Sequence, residues 1–133
     1  MDHATRPTLT HIAPFFIVRQ LSPSVAFYRD GLGFELTFAT PEGEPFFAIL
    51  GRDNVRIMIK EILPDVHPSP NHRQHPWAKW DAFIHTPDPD SLAAEFTSRG
   101  VTMHAPLADT DDQLRGFEIQ DPNGYVLFFG RPV

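Results

Sequence analysis

The sequence contains no cysteine, few basic residues and no long apolar run. Without cysteine there is no disulfide, no thiolate nucleophile and no zinc or iron–sulfur site built on thiolates. The 11 Lys and Arg are outnumbered by 17 Asp and Glu, and the net charge of −6 argues against a nucleic-acid partner, which requires clustered basic residues. No segment is apolar for long enough to span a bilayer, and no signal-peptide core is visible. We therefore expect a soluble, cytoplasmic protein that binds neither nucleic acid nor a membrane.

The chain does contain enough apolar side chains for a folded domain. Its 133 residues are 41% hydrophobic and 21% charged, which is typical of a single globular domain rather than of a disordered chain. Twelve phenylalanines are many for this length, so we expect some of the rings to line something other than the core. The acidic net charge is compatible with a cationic small ligand.

The clearest local signal is a hairpin near the end of the chain, over residues 116–130. Its turn is Asp121-Pro122-Asn123-Gly124. The proline fixes φ, the asparagine and glycine tolerate positive φ, and the aspartate can accept hydrogen bonds from the backbone of the turn. Apolar and aromatic residues flank the turn on both sides, which is typical of two paired strands.

One order of secondary structure occurs twice along the chain. In each half a strand is followed by a helix with a cap and a first-turn proline, at Ser22-Pro23 and at Asp88-Pro89. The predicted strands are 12–18, 34–40, 46–50 and 55–62 in the first half, and 80–86, 101–104, 114–120 and 125–130 in the second. We therefore predict two βαβββ modules, about 9–62 and 79–131, joined by a Pro- and His-rich connector of residues 63–78.

Three motifs in this order resemble the vicinal oxygen chelate superfamily, which includes glyoxalase I, extradiol dioxygenases and bleomycin resistance proteins. They are residues 24–34, which contain the first helix and the Leu-Gly-Phe sequence that follows it, residues 92–101 of the second helix, and residues 117–124 of the closing hairpin. The resemblance implies an α+β fold in which the sheets of two βαβββ modules form an open, barrel-like cup. It also implies a homodimer with the cup near or across the interface. It leaves the function open, because fold and chemistry separate readily.

Metal-dependent members of this superfamily take ligands from the start of each module's first strand and from the middle of its last strand. In this chain those positions are Ala13 and Met58 in the first module and Asp81 and Phe128 in the second. Only Asp81 carries a donor group, whereas a divalent ion that leaves room for a substrate needs about three or four N or O ligands. The resemblance therefore implies a member that uses no metal or other cofactor.

A displaced metal site is the alternative. His11 lies two residues before Ala13, and His85 lies four residues after Asp81, so each is expected on the same face of its strand as that ligand position. Glu118 supplies a further carboxylate. One divalent metal ion held by His11, His85 and Glu118 would make the protein a lyase or a dioxygenase of the same superfamily.

Strand alternation predicts which side chains face the cup. They are Phe15, Ile17, Arg56, Met58 and Lys60 from the first module, and Asp81, Phe83, His85, Val126 and Phe128 from the second. An apolar and aromatic surface with a few polar groups is the composition of a small-molecule pocket. Asp81 would then be an anionic anchor, and Arg56 or Lys60 a cationic one. The alternative is that the aromatic members of this set only fill the core of a small closed barrel.

Two tryptophans, Trp77 and Trp80, stand just before the second module's first strand. A ring at that place could cover the cup or contact a dimer partner, or it could seal the edge of the barrel. The histidines of the connector match no zinc-binding spacing, so we interpret that segment as a solvated loop.

These patterns lead to one principal hypothesis about function. The protein would be a dimeric, metal-independent binding protein, similar to the bleomycin resistance branch, that sequesters a planar or aromatic small molecule in a hydrophobic cup. The predicted ligand-binding residues are Phe15, Ile17, Arg56, Met58, Trp77, Trp80, Asp81, Phe83, His85 and Phe128. The competing hypotheses are the metal-dependent enzyme and an inert dimerisation module whose cup is filled by its own side chains.

Overall fold

Two four-stranded sheets make up the computed structural model, which describes residues 6–133. The first module contains β1 (Phe15–Val18), α1 (Leu21–Ala26), a π-helical turn (Phe27–Gly31), β2 (Glu35–Thr40), β3 (Phe47–Arg52) and β4 (Val55–Glu61). The connector contains one short helix, α2 (Asn71–Gln74). The second module contains β5 (Ala82–His85), α3 (Pro89–Ser98), β6 (Ala105–Asp109), β7 (Leu114–Gln120) and β8 (Val126–Pro132).

The two sheets have the same topology. Their strand orders are β1-β4-β3-β2 and β5-β8-β7-β6. In each sheet the first strand pairs in parallel with the last, and the remaining pairs are antiparallel. A parallel first pair requires a crossover connection, which the helix after the first strand supplies. The prediction of a duplicated βαβββ module, and with it the α+β fold that the resemblance implies, is confirmed.

Two strands lie elsewhere than the sequence predicts. The first strand begins at Phe15 rather than at residue 12, and Ile12 is 87% exposed. Pro14, which has no N–H to donate, stands where the pairing begins, and its carbonyl oxygen accepts a hydrogen bond from the Met58 amide. The strand predicted at 101–104 is instead Ala105–Asp109. Pro106 lies within that strand, which is tolerated because β6 is at the edge of its sheet.

The helix caps were predicted correctly in the second module only. Asp88 caps α3, and its side chain accepts a hydrogen bond from the Ser91 amide. In the first module the cap predicted at Ser22 is wrong, because α1 already begins at Leu21. The Leu21 amide donates to the Glu61 carboxylate at 2.8 Å. The free backbone N–H at the start of α1 is therefore capped by a side chain from the end of β4, and not by the nearby serine that the sequence predicts.

Both modules contribute to one continuous hydrophobic core. Alternate residues of the two sheets pack there with side chains from α1 and α3: Phe16, Val18, Leu21, Val25, Ile57, Ile59, Phe96, Phe117, Ile119, Leu127 and Phe129. On each sheet the side chains at the alternate positions along the strands point away from this core. We call the surface that they form the open face of that sheet.

No helix within residues 6–133 is long and apolar enough to cross a membrane.

The turn of the closing hairpin is bound to the first module through Asp121. Its Oδ2 accepts a hydrogen bond from the Tyr28 hydroxyl at 2.7 Å, and its Oδ1 accepts from the amides of Asn123 and Tyr125. Burial raises the pKa of the Tyr28 hydroxyl well above its usual value, with the charge of Asp121 adding to the shift. Tyr28 therefore keeps its proton and remains the donor.

Asn123 extends this network to the start of α1. Its side-chain amide donates to the Ser24 hydroxyl at 2.9 Å, and its carbonyl oxygen accepts from the Arg19 amide at 2.9 Å. The Tyr125 hydroxyl donates to the Ile17 carbonyl at 2.8 Å. The turn and the residue after it thus make hydrogen bonds to four residues of the first module: Ile17, Arg19, Ser24 and Tyr28.

A second link joins the modules nearer the surface. The Arg52 guanidinium makes two hydrogen bonds to the Glu95 carboxylate, at 2.7 and 2.8 Å, and a third to the Leu32 carbonyl. Glu95 lies on α3 and also accepts from Arg99. Arg52 is the last residue of β3, so this bidentate contact with Glu95 holds α3 against the first module.

The hydroxyl of Tyr28 can be removed without changing the packing of its ring. We expect Tyr28→Phe to lower the free energy of unfolding by about 1–3 kcal/mol, because the buried Asp121 carboxylate loses one hydrogen bond. Urea denaturation curves, monitored by circular dichroism, measure this change in the free energy of unfolding. Asp111→Asn, a substitution at an exposed turn residue, is the control and should change stability by less than about 0.5 kcal/mol. Equal stability of Tyr28→Phe and the parent protein would contradict a structural role for this bond.

Candidate functional site

The open face of the first sheet is rich in aromatic rings. Phe15 on β1 is 53% exposed and Phe38 on β2 is 51% exposed. Phe47 lies within reach of both, with ring centroids 6.0 Å from Phe15 and 6.2 Å from Phe38. Ile17 and Met58, both half-buried, belong to the same face. The chain therefore leaves Phe15 and Phe38 uncovered, with the half-buried Phe47 in contact range of both.

The basic residues of this face are already engaged. The Arg56 guanidinium donates to the carbonyl oxygens of Asp53 and Val55, at 2.8 and 3.0 Å. The Lys60 ammonium lies 5.7 Å from the centroid of the Phe46 ring, a cation–π contact. Both bonds come from the Nη1 of Arg56, so its Nε and Nη2 keep their donors, and a cationic anchor at Arg56 or Lys60 stays a prediction.

The open face of the second sheet carries an aromatic cluster of Trp80, Phe83 and Phe128. The ring of Phe128 is almost fully buried, with the Trp80 ring at 4.6 Å and the Phe83 ring at 5.3 Å between centroids. Phe83 is 43% exposed and Trp80 is half-buried. Phe128 is thus buried on the open face, outside the shared hydrophobic core, whereas Phe83 beside it is exposed. Val126, from the same predicted set, is also buried.

Two glycines make room for the ring of Phe128. Gly116 on β7 and Gly130 on β8 are direct partners across the sheet. A Cβ atom on Gly130 would lie 2.5 Å from Cε1 of Phe128, and a Cβ on Gly116 would lie 2.6 Å from Cζ of the same ring. The Phe128 ring therefore lies over backbone that carries no side chains. A side chain at either glycine position would collide with the ring.

Glu118 lies at the edge of the aromatic cluster. It pairs with Phe128 across β7 and β8, and its Oε2 accepts a hydrogen bond from the Trp80 indole N–H at 3.0 Å. Sequence reasoning considered Glu118 only as a metal ligand and missed its contact with the aromatic rings. The alternation that places Phe128 on the open face would have placed Glu118 there as well.

The carboxylate of Asp81 has a structural role. Its Oδ1 accepts a hydrogen bond from the Asn71 amide and its Oδ2 one from the Val126 amide, both at 2.8 Å. Asp81 therefore ties α2 in the connector to the start of β8. Each of its oxygens already accepts one backbone hydrogen bond, and an anionic anchor at this position stays a prediction.

A groove of about 480 Å³ separates the two modules at one end. Three segments line it: residues 11–14, which lead into β1, residues 54–57 at the start of β4, and residues 81–85 of β5. It brings together Arg56, Phe83 and His85, as the sequence predicts. Trp77 is not part of its lining; it is 83% exposed on the connector and contacts only the His75 ring edge among the aromatic pairs described.

The donor groups present do not fit a resident metal ion. Asp81 binds backbone amides, and the other three positions used by metal-dependent relatives carry Ala13, Met58 and the ring of Phe128. The displaced set is not brought together either, because His11 and His85 line the groove while Glu118 is held by Trp80. Within residues 6–133 no three His, Asp or Glu side chains lie close enough to hold one ion.

Comparison with known proteins identifies the family. A model of the Glyoxalase/Bleomycin resistance protein/Dioxygenase superfamily matches residues 8–129, and the chain belongs to this family. A comparison with curated proteins gave no match.

Solved structures with the same fold include proteins from Micromonospora and Streptomyces. TioX from Micromonospora sp. ML1 superposes with a TM-score of 0.71 at 20% identity, over 92% of this chain and 98% of that one. The bleomycin-binding protein from Streptomyces verticillus, complexed with copper(II)-bleomycin, gives 0.67 at 23% identity, over 96% and 100%. TnmS3, an antibiotic binding protein from Streptomyces sp. CB03234, gives 0.66 at 19% identity, over 96% and 100%. At these identities the likeness supports the fold alone.

Proposed function

We propose that this protein binds and sequesters a planar aromatic small molecule on its open faces, without a metal ion. The observation that carries the proposal is the aromatic surface itself. Phe15, Phe38 and Phe83 each leave about half of their surface exposed on sheets whose other faces form the shared hydrophobic core. Exposed apolar patches of this kind mark interaction sites in soluble proteins.

Stacking explains why a flat ligand suits these faces. An aromatic pair contributes about 0.5–1.5 kcal/mol beyond the burial of its surface. On the first sheet the rings of Phe15 and Phe47 lie within 27° of parallel and offer a flat contact. On the second sheet the exposed ring of Phe83, within 21° of the plane of Phe128, offers another. Because β-strands hold these rings, little conformational entropy is lost when a ligand binds.

Two structural neighbours support a small organic ligand. One is a bleomycin-binding protein seen with copper(II)-bleomycin, and the other is described as an antibiotic binding protein. Their ligands come to this chain only as a class, a small organic molecule of the antibiotic kind. The metal-dependent lyase or dioxygenase receives no comparable support from the donor groups in residues 6–133.

Affinity for a planar probe tests the proposal. Acridine, titrated by isothermal calorimetry at pH 8, is expected to bind, and Phe15→Ala and Phe83→Ala should each weaken binding about 5- to 20-fold through lost stacking and burial. Leu63→Ala is the control, since Leu63 is an exposed apolar residue of the connector and its truncation should leave the affinity unchanged. No detectable binding, or equal affinity in all three variants, would contradict the proposal.

Metal content is measured directly on the purified protein. We expect less than about 0.1 equivalent of zinc, nickel, manganese or iron by mass spectrometry, because three or four donors are needed and are not assembled. Acridine binding should be unchanged after dialysis against a chelator. Stoichiometric metal that is lost in His85→Ala would instead support the displaced site of His11, His85 and Glu118.

We also propose that a second copy of the chain completes the cup, because each open face is uncovered within one chain. A symmetric dimer would bury each first-sheet face against the second-sheet face of its partner and form two identical sites. Sedimentation equilibrium at tens of micromolar protein should give twice the chain mass of 15.1 kDa. A monomer at that concentration would exclude a site shared between copies.

A further inference from the structure

We propose that Glu118 anchors a positively charged group of the ligand, so that the ligand is a planar aromatic cation. This inference deepens the proposed function and rests on it. It assigns Glu118 as a binding residue and names the charge of the molecule that the second sheet selects.

Glu118 lies where a substituent of a stacked ligand would reach. It is the cross-strand partner of Phe128, and the Trp80 ring that covers Phe128 donates its indole N–H to the Glu118 Oε2 at 3.0 Å. The hydrogen bond fixes both side chains relative to each other. The carboxylate therefore has a fixed position beside the aromatic cluster of Trp80, Phe83 and Phe128.

The second carboxylate oxygen of Glu118 is free to accept a ligand donor. No hydrogen bond reaches Oε1 from residues 6–133, and the nearest basic atom is Nε2 of His104 at 3.8 Å, which carries charge only when protonated. Every buried side-chain oxygen in this part of the chain has a hydrogen-bond partner. Because Oε1 has none, it is not a buried atom and is open to solvent, although the Glu118 side chain as a whole is only 20% exposed.

Within residues 6–133 no lysine or arginine forms an ion pair with Glu118. Lys79, close in sequence to Trp80, is paired with Asp112 at 3.1 Å. Arg115, on the same strand as Glu118, is paired with Asp90 and Asp109. A half-buried carboxylate without a cation gains more from a charged ligand than an exposed one, because water screens it less.

Two attractions then act together on a cationic ring. The carboxylate forms a charge-assisted contact, and the faces of Trp80 and Phe83 attract positive charge through their ring quadrupoles. A neutral ring of the same shape gains the stacking but neither of these.

Two probes of nearly the same shape test the charge preference. 10-Methylacridinium carries a fixed positive charge, whereas acridine is neutral at pH 8. We expect the protein to bind the cation about tenfold more tightly than acridine by isothermal titration calorimetry, which is the effect of one charge-assisted contact. Glu118→Gln keeps an acceptor for the Trp80 indole and should remove this preference while changing acridine affinity less than about twofold.

Asp111→Asn provides the matched control. It removes one negative charge from an exposed residue of the β6–β7 turn in the same module, and it should leave both affinities within about twofold. The salt dependence of the parent protein gives a second readout that needs no variant. Affinity for 10-methylacridinium should fall between 50 and 300 mM salt, about threefold or more, while acridine affinity stays constant.

The possible outcomes separate this inference from the proposed function. If acridine binds but Glu118→Gln leaves the cation preference intact, the anchor is wrong and the binding function stands. The anchor is also wrong if Glu118→Gln loses both probes equally, because Glu118 would then act only by positioning Trp80. If neither probe binds the parent protein, the proposed function fails and the anchor with it.

Discussion

The carboxylate of Asp121 joins the two halves of this chain. One oxygen is bonded to the Tyr28 hydroxyl behind α1, and the other holds the turn that begins β8. Because side chains alternate along a strand, a slip of one residue in β8 would move Phe128 into the core and Phe129 onto the open face. The turn and its buried partners fix that register. The position of Phe128 under Trp80, and with it the aromatic surface, therefore depends on this contact.

Local patterns in the sequence predict most of the fold. The hairpin, the two modules and the Asp88 cap follow from turn residues, alternation and capping, which act over a few neighbouring positions. The contacts that these patterns miss are long-range. The start of α1 is satisfied by Glu61 from β4, and Asp81 accepts hydrogen bonds from the Asn71 and Val126 amides. Likewise, the contact of Glu118 with Trp80 joins residues 38 positions apart, which no local pattern reveals.

The aromatic face of the second sheet results from several coupled residues rather than from one replacement. Phe128 stands where metal-dependent relatives have a carboxylate, but its ring lies flat only because Gly116 and Gly130 are opposite each other beneath it. Trp80 then covers the ring and is held by Glu118. A carboxylate at position 128 alone would leave the other donors absent. The aromatic face depends on Phe128, the two glycines, Trp80 and Glu118 together.

The most direct measurement is a map of backbone amide chemical shifts during titration with 10-methylacridinium. Binding on the open faces predicts that the largest changes fall on β1, β5, β7 and β8, with the Trp80 indole N–H among them. The changes should be absent from α3 and from the buried turn at Asp121. Shift changes concentrated on the helices, or on the exposed end of the connector at Trp77 with none at Phe83 or Phe128, would contradict an aromatic binding surface on the sheets.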